Sequence, residues 1–164
     1  MITLPWLRKK TAYPIVRIDD RLLHGQVVVG WGQQLGLEWI ILASDRIAES
    51  PTMVAAMKAG APLELQADVY DLEETARRFS AGEFSLRKSM LVFESPGDLL
   101  KLIHKGVAVK QIHIGGLHFR EGAEELLPYV FLSNWDRMAL DEMTKRGIRV
   151  TCQDLPGTHP LVYR

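Results

Sequence analysis

Within seven residues, Asp19-Asp20-Arg21-Leu22-Leu23-His24-Gly25, the chain places two carboxylates, a guanidinium, an imidazole and a glycine. Such a set can handle an anion. His24 could serve as nucleophile, general base, metal ligand or plain core residue, because imidazole changes charge near neutral pH. Arg21 is a permanent cation whose planar donors match a phosphoryl group. Asp19 can accept from one imidazole nitrogen, fix the tautomer and leave the other nitrogen to attack. Asp19 could equally pair with Arg17 or Arg21 as a structural ion pair, and the two roles are compatible. Gly25 lets a backbone approach an anion closely, and Gly25 and Gln26 together would offer it their amides.

The elements around this set must hold it at a turn. Tyr13-Pro14-Ile15-Val16 is apolar and reads as a short strand, and residues 25–36 read as a helix stopped by Gly36. The first amides and the dipole of such a helix favour an anion. In open α/β sheets, ligands bind beyond the carboxyl ends of strands, where the strand order reverses. Further strands are expected at 37–43, 63–69, 89–93, 110–114, 130–132 and 148–152. Helices are expected from Ser50-Pro51, Asp71, Ser95-Pro96 and Ser133, each opening on a capping residue. Ser44-Asp45-Arg46 reads as a polar loop. Seven strands alternating with five helices predict one doubly wound, mostly parallel α/β sheet with helices on both faces.

Composition bounds the function. A chain of 164 residues fits one domain, and 47% hydrophobic with 24% charged residues is ordinary for a globular protein. Twenty basic residues against twenty acidic ones argue against nucleic acid as a partner. Cys152 is the single cysteine, so a disulfide within the chain and a cysteine-based metal site are excluded, and a reducing compartment is favoured. No apolar run approaches the roughly 18–20 residues of a membrane span. In residues 1–10 the charges follow the apolar part, the reverse of a signal peptide. Residues 1–12 are expected to form a tail and 13–164 the domain.

Familiar phosphate motifs are missing. No Gly-Lys dipeptide occurs, so there is no Walker loop, and Gly30-Trp31-Gly32 only imitates a dinucleotide fingerprint. A response-regulator receiver would share the acidic pair Asp19-Asp20 but needs a lysine where Gly115-Gly116 follows the fifth strand. Gly115, Gly116 and His118 lie after that strand, and Ser44 and Asp45 after the second, where each could line the site. His113, alternating with isoleucines, reads as packed, and Trp31 and Trp39 read as core.

The run Val16-Arg17-Ile18-Asp19-Asp20-Arg21-Leu22-Leu23-His24-Gly25-Gln26-Val27 resembles the signature of the IIB component of the bacterial mannose/fructose/sorbose phosphotransferase family. The resemblance continues through Asp45–Pro51, Lys110–Gly122, Lys145–Val150 and Leu155-Pro156, covering about residues 14–157. It implies a cytoplasmic phosphocarrier with no metal and no cofactor. His24 would accept a phosphoryl group on Nδ1 from a phosphohistidine of a separate IIA protein, with Arg21 and Asp19 flanking it. It would then pass the group to a sugar delivered by the membrane components IIC and IID. An alternative is a regulatory module, phosphorylated but without sugar transfer. The sugar is left open, and so is a homo-oligomer.

Overall fold

The computed structural model describes residues 12–164. The tail expected over 1–12 therefore lies, except for Ala12, outside the described residues. The strands in chain order are β1 (Ile15–Asp19), β2 (Trp39–Ala43), β3 (Gln66–Tyr70), β4 (Ser89–Phe93), β5 (Gln111–Gly116), β6 (Glu124–Leu127), β7 (Val130–Leu132), β8 (Arg149–Cys152) and β9 (Leu161–Val162). Seven of them form one sheet in the order β3-β2-β4-β1-β5-β8-β9, parallel except for β9, which runs antiparallel to β8. Every residue of β1, β2 and β4 is buried, as strands covered on both faces must be.

A π-helical stretch, Gln26–Gln33, follows β1. The α-helices are α1 (Asp45–Ala48), α2 (Pro51–Ala59), α3 (Leu72–Ser80), α4 (Pro96–His104) and α5 (Asn134–Lys145). Ser44, Ser50, Asp71, Ser95 and Ser133 each cap one of them by accepting a backbone amide in the first turn. Alternation along β1 splits the core. Val16 and Ile18 pack with Ala76, Leu102 and Leu140 of α3, α4 and α5. Ile15 joins Val27 and Trp31 of the π-helix and Ile47 of α1 on the opposite face. Arg17 and Asp19 fall on that second face by the same two-residue period.

Some expectations change. The helix over 25–36 exists but is wound as a π-helix through most of its length. Ser44-Asp45-Arg46 is a cap and helical turn, not a loop. Val130–Leu132 is a strand, as expected, but it pairs with β6 in a separate antiparallel ribbon, and β9 supplies the seventh strand of the main sheet. The first strand also extends three residues beyond Val16, so Arg17 and Asp19 belong to its buried interior rather than to a turn.

β1 and β5 are neighbours, yet the chain leaves β1 toward β2 on one side and β5 toward β8 on the other. That divergence is a topological switch point, the place where open α/β sheets take their ligands beyond the carboxyl ends of strands. The residues after Asp19 lie there.

Candidate active site

The site is built on the last residue of β1 and the turn that follows it. Asp19 is fully buried, and its two carboxylate oxygens are divided between partners. Oδ2 accepts from Arg17 Nη2 at 3.0 Å and from His24 Nε2 at 2.8 Å. Oδ1 accepts the Arg21 backbone N–H at 3.2 Å and lies 3.5 Å from Arg21 Nε. Burial pushes the Asp19 carboxyl up. The His24 hydrogen bond and the charge of Arg17 outweigh that effect and hold the group below its ordinary range. An ionised Asp19 can only accept, so the contact assigns the proton at this bond to Nε2, and a neutral ring so bonded keeps its lone pair on Nδ1. Among the described residues, no hydrogen-bonding partner meets Nδ1.

The turn is tight. Leu22 N–H reaches back to the Asp19 carbonyl at 3.0 Å, and Leu22 adopts φ +56°, a left-handed conformation that favours glycine over leucine. Its side chain is buried in the core, so packing outweighs a backbone cost of about 1–2 kcal/mol. The reversal brings half-buried His24 under Asp19. Arg21 emerges with its side chain 38% exposed and donates from Nη2 to Gln26 Oε1 at 3.0 Å. A neutral amide partner at the surface is readily exchanged for an anionic oxygen. Gly25 has helical torsions, and a Cβ there would meet open space. The approach to the helix start is therefore clear.

Gly115 and Gly116 border the site through backbone. The pairing of β1 with β5 shifts between Ile18 and Asp19, leaving Gly115 as the extra residue of a bulge. A Cβ on Gly115 would lie 1.8 Å from Arg17 Cζ, so this glycine makes room for the guanidinium. A Cβ on Gly116 would sit 3.4 Å from Asp19 Oδ1 and 3.5 Å from Arg21 Nη2. His118 is tied to the same turn. Its backbone N–H and its Nδ1 both reach the Asp20 carboxylate at 2.7 Å. Asp20, read from the sequence as one half of an acidic pair, clamps the loop after β5.

Ser44 and Asp45 are engaged elsewhere. Ser44 Oγ donates to Glu94 Oε2 at 2.7 Å and caps α1, while Asp45 Oδ1 accepts the Leu72 N–H at 2.8 Å. Neither makes a hydrogen bond to the His24 turn. His113 is packed as expected: its ring lies 5.4 Å from that of Trp31, and burial, reinforced by the charge of Arg17, pushes its pKa down to about 4. The sequence treated Arg17 merely as one option for pairing. A charged residue two positions from Asp19 inside a strand was the available signal, since it must face the same buried side.

The fold and the turn together define an α/β protein that presents a carboxylate-backed histidine at the carboxyl edge of its sheet. The chain belongs to the PTS system sorbose subfamily IIB component family, whose pattern matches residues 13–161. It is therefore a phosphotransferase component of sugar transport, of a family that works with IIA and with membrane IIC and IID components. It is 28% identical over 143 residues to the fructose-specific EIIB component of the PTS of Bacillus subtilis (strain 168), covering 87% of this chain and 88% of that protein. It is 30% identical over 136 residues to the mannose-specific EIIAB component of Escherichia coli (strain K12), covering 83% of this chain but 42% of that longer protein. The crystal structure of the IIBSor domain of the sorbose permease from Klebsiella pneumoniae superposes with a TM-score of 0.81 at 26% identity, over 90% of each chain. No helix among the described residues is long and apolar enough to cross a membrane.

Proposed function

We propose that His24 is the phosphoryl carrier of this chain and that Nδ1 is the atom that carries the group. The observation behind this assignment is the 2.8 Å contact between Asp19 Oδ2 and His24 Nε2, which commits Nε2 to the carboxylate and leaves the lone pair of Nδ1 without a partner among the described residues. In the first transfer, the N–P bond of a donor phosphohistidine on a IIA protein breaks as a new N–P bond forms at Nδ1. In the second, that bond breaks as a sugar hydroxyl, presented by membrane IIC and IID components, takes the phosphoryl group and gives up its proton to solvent.

Phosphoryl transfer needs positioning and charge stabilisation more than covalent chemistry. Arg21 supplies a partly exposed cation in the His24 turn, and the amides at Gly25 and Gln26 supply dipoles. A ring phosphorylated on Nδ1 that keeps its Nε2 proton is cationic. Asp19 compensates that charge, so the ring is both a stable carrier and a good leaving group. The reading calls for no metal and no nucleotide, and it places the protein in the cytoplasm. His118, Gly115 and Gly116 line the site in this reading.

The test is labelling from phosphoenolpyruvate through the two general carrier proteins and a IIA donor. The wild-type chain is expected to take one acid-labile phosphate and to pass it to a sugar in membranes bearing IIC and IID. His24→Ala is expected to take none. Label on the alanine variant would overturn the assignment. Stable labelling of the wild type without release to any sugar would favour a regulatory module.

A further inference from the structure

Arg17 is wholly buried, yet nothing in the transfer described above has it touch the phosphoryl group. We infer that Arg17 is a positioning residue that selects Nδ1 over Nε2 of His24 as the phosphorylated nitrogen, acting only through Asp19. The inference rests on the phosphocarrier reading of His24.

Its geometry is over-determined from four parts of the chain. From β1, Arg17 Nη2 donates to Asp19 Oδ2 at 3.0 Å, the same oxygen that holds His24 Nε2. From the segment after β8, the Gln153 carbonyl accepts from Nη1 at 3.1 Å and the Asp154 carbonyl from Nη2 at 3.3 Å. Trp31 of the π-helix lays its ring 5.1 Å from Arg17 Cζ, and the Trp31 indole N–H itself donates to the Asp154 carbonyl at 2.8 Å. Gly115 of β5 vacates the space that the guanidinium fills. A fork so confined holds the carboxylate in one orientation. Asp19 Oδ2 is then available to Nε2 and cannot swing toward Nδ1.

The arrangement also divides labour between two arginines. Both ends of the pair Arg17–Asp19 are fully buried, whereas the Arg21 side chain is 38% exposed. Arg21 can turn toward a phosphoryl oxygen only if another cation keeps Asp19 ionised and in place. The charged and titratable groups facing Asp19 are Arg17 from β1, and Arg21 and His24 from the turn, while β5 presents the backbone of Gly116. His113, opposite Arg17 in register, is uncharged at neutral pH, and its Nδ1 lies 3.1 Å from Thr151 Oγ1. Asp154 also acts on Arg17 through its charge, while its Oδ1 is held by Leu155 N–H and Thr158 Oγ1.

The decisive measurement is ¹⁵N NMR of the His24 ring in the full, unphosphorylated chain, followed by NMR location of the phosphate after labelling. Arg17→Gln removes the cation, Gly115→Ala displaces the fork while keeping the charge, and Arg17→Lys keeps charge without the fork. Wild type is expected to show the Nε2–H tautomer and a single Nδ1 phosphate. Arg17→Gln and Gly115→Ala are expected to lose roughly tenfold in that selectivity, the scale set by one charge-assisted hydrogen bond. In Arg17→Gln the acid limb of the labelling rate should also move to higher pH, because Asp19 loses its counter-charge. Arg17→Lys should restore the acid limb but not the selectivity, and it decides the matter if the glutamine variant does not fold. Folded variants that keep the wild-type tautomer, phosphate position and pH profile would make Arg17 a structural residue and overturn the inference. A tautomer lost in the variants while wild type takes no label would uphold the positioning and sink the phosphocarrier reading instead.

Discussion

Asp19 serves three partners with two oxygens, and its removal shows what the arrangement is worth. Asp19→Asn keeps the shape but leaves Arg17 buried without a counter-charge, and breaking a buried pair by removing one partner costs about 3–5 kcal/mol. Urea unfolding at pH 7 is expected to show a loss of that size. The sign with pH follows from a folded-state pKa held below the ordinary value of about 4. The stabilisation is complete above that value and is lost as pH falls through the lower folded one, so the gap between wild type and Asp19→Asn should narrow at pH 3. A gap independent of pH would mean that Asp19 does not stabilise the fold as an anion. The sequence made Asp19, Arg21 and His24 legible because their chemistry is complementary and their spacing short. It left Arg17 ambiguous, because the carbonyls that seat its guanidinium belong to Gln153 and Asp154, 136 and 137 residues away.

At the scale of elements, what the sequence revealed was local. Ser50-Pro51, Asp71, Ser95-Pro96 and Ser133 mark helix starts through a side-chain oxygen and a backbone amide three residues on, so both ends of the interaction lie in one short window. β4 was legible for a similar reason, being apolar without a break from Met90 to Phe93, a run that must be buried on both faces. The missed elements depend on distant partners. Glu124-Glu125-Leu126-Leu127 has no alternation and becomes β6 only by pairing with β7, and Leu161–Val162 becomes β9 only against β8. The π-helix accommodates Leu155, whose Cδ2 lies 2.5 Å from where a Cβ on Gly30 would stand, and it aims Trp31 at a carbonyl 123 residues later. Local capping can be tested apart from the site. Ser133 Oγ accepts the Asp136 N–H at 3.2 Å and donates to Asp136 Oδ2 at 2.6 Å, while Arg120 also holds that carboxylate. Ser133→Ala is expected to lose about 1 kcal/mol in denaturant unfolding and to leave the extent of His24 labelling unchanged. A labelling defect would show that the Arg120–Asp136 contact carries the state of α5 to the loop holding His118.

Across the whole molecule, the last residues complete a site laid down by the first described ones. Besides the Trp31 indole N–H on the Asp154 carbonyl and the Gln153 N–H bond to the Ile114 carbonyl at 2.8 Å, two tethers hold the segment after β8. One is internal: Gln153 Nε2 donates to the Pro156 and Thr158 carbonyls at 3.2 and 2.9 Å, and Asp154 Oδ1 accepts from Leu155 N–H and Thr158 Oγ1 at 2.8 and 2.7 Å. The other is the return strand: Tyr163 N–H donates to the Val150 carbonyl at 3.0 Å, and the hydroxyl of its buried side chain donates to Asp141 Oδ1 at 2.8 Å. The carbonyls that seat Arg17 lie within the first tether, which closes on itself. Ending the chain after Thr158 should therefore separate stability from chemistry. Loss of buried Tyr163 is expected to cost about 3–5 kcal/mol, the range for deleting a large aromatic from a core. Loss of β9 also exposes the edge of β8. The His24 ring should nonetheless keep its Nε2–H tautomer and take phosphate on Nδ1, because every backbone contact to Arg17 survives the cut. Urea unfolding and ¹⁵N NMR of the shortened chain check both halves. A shortened chain that folds but scrambles the two ring nitrogens would place the support of Arg17 in β9, and the site would then depend on the outer edge of the sheet, two strands beyond β5.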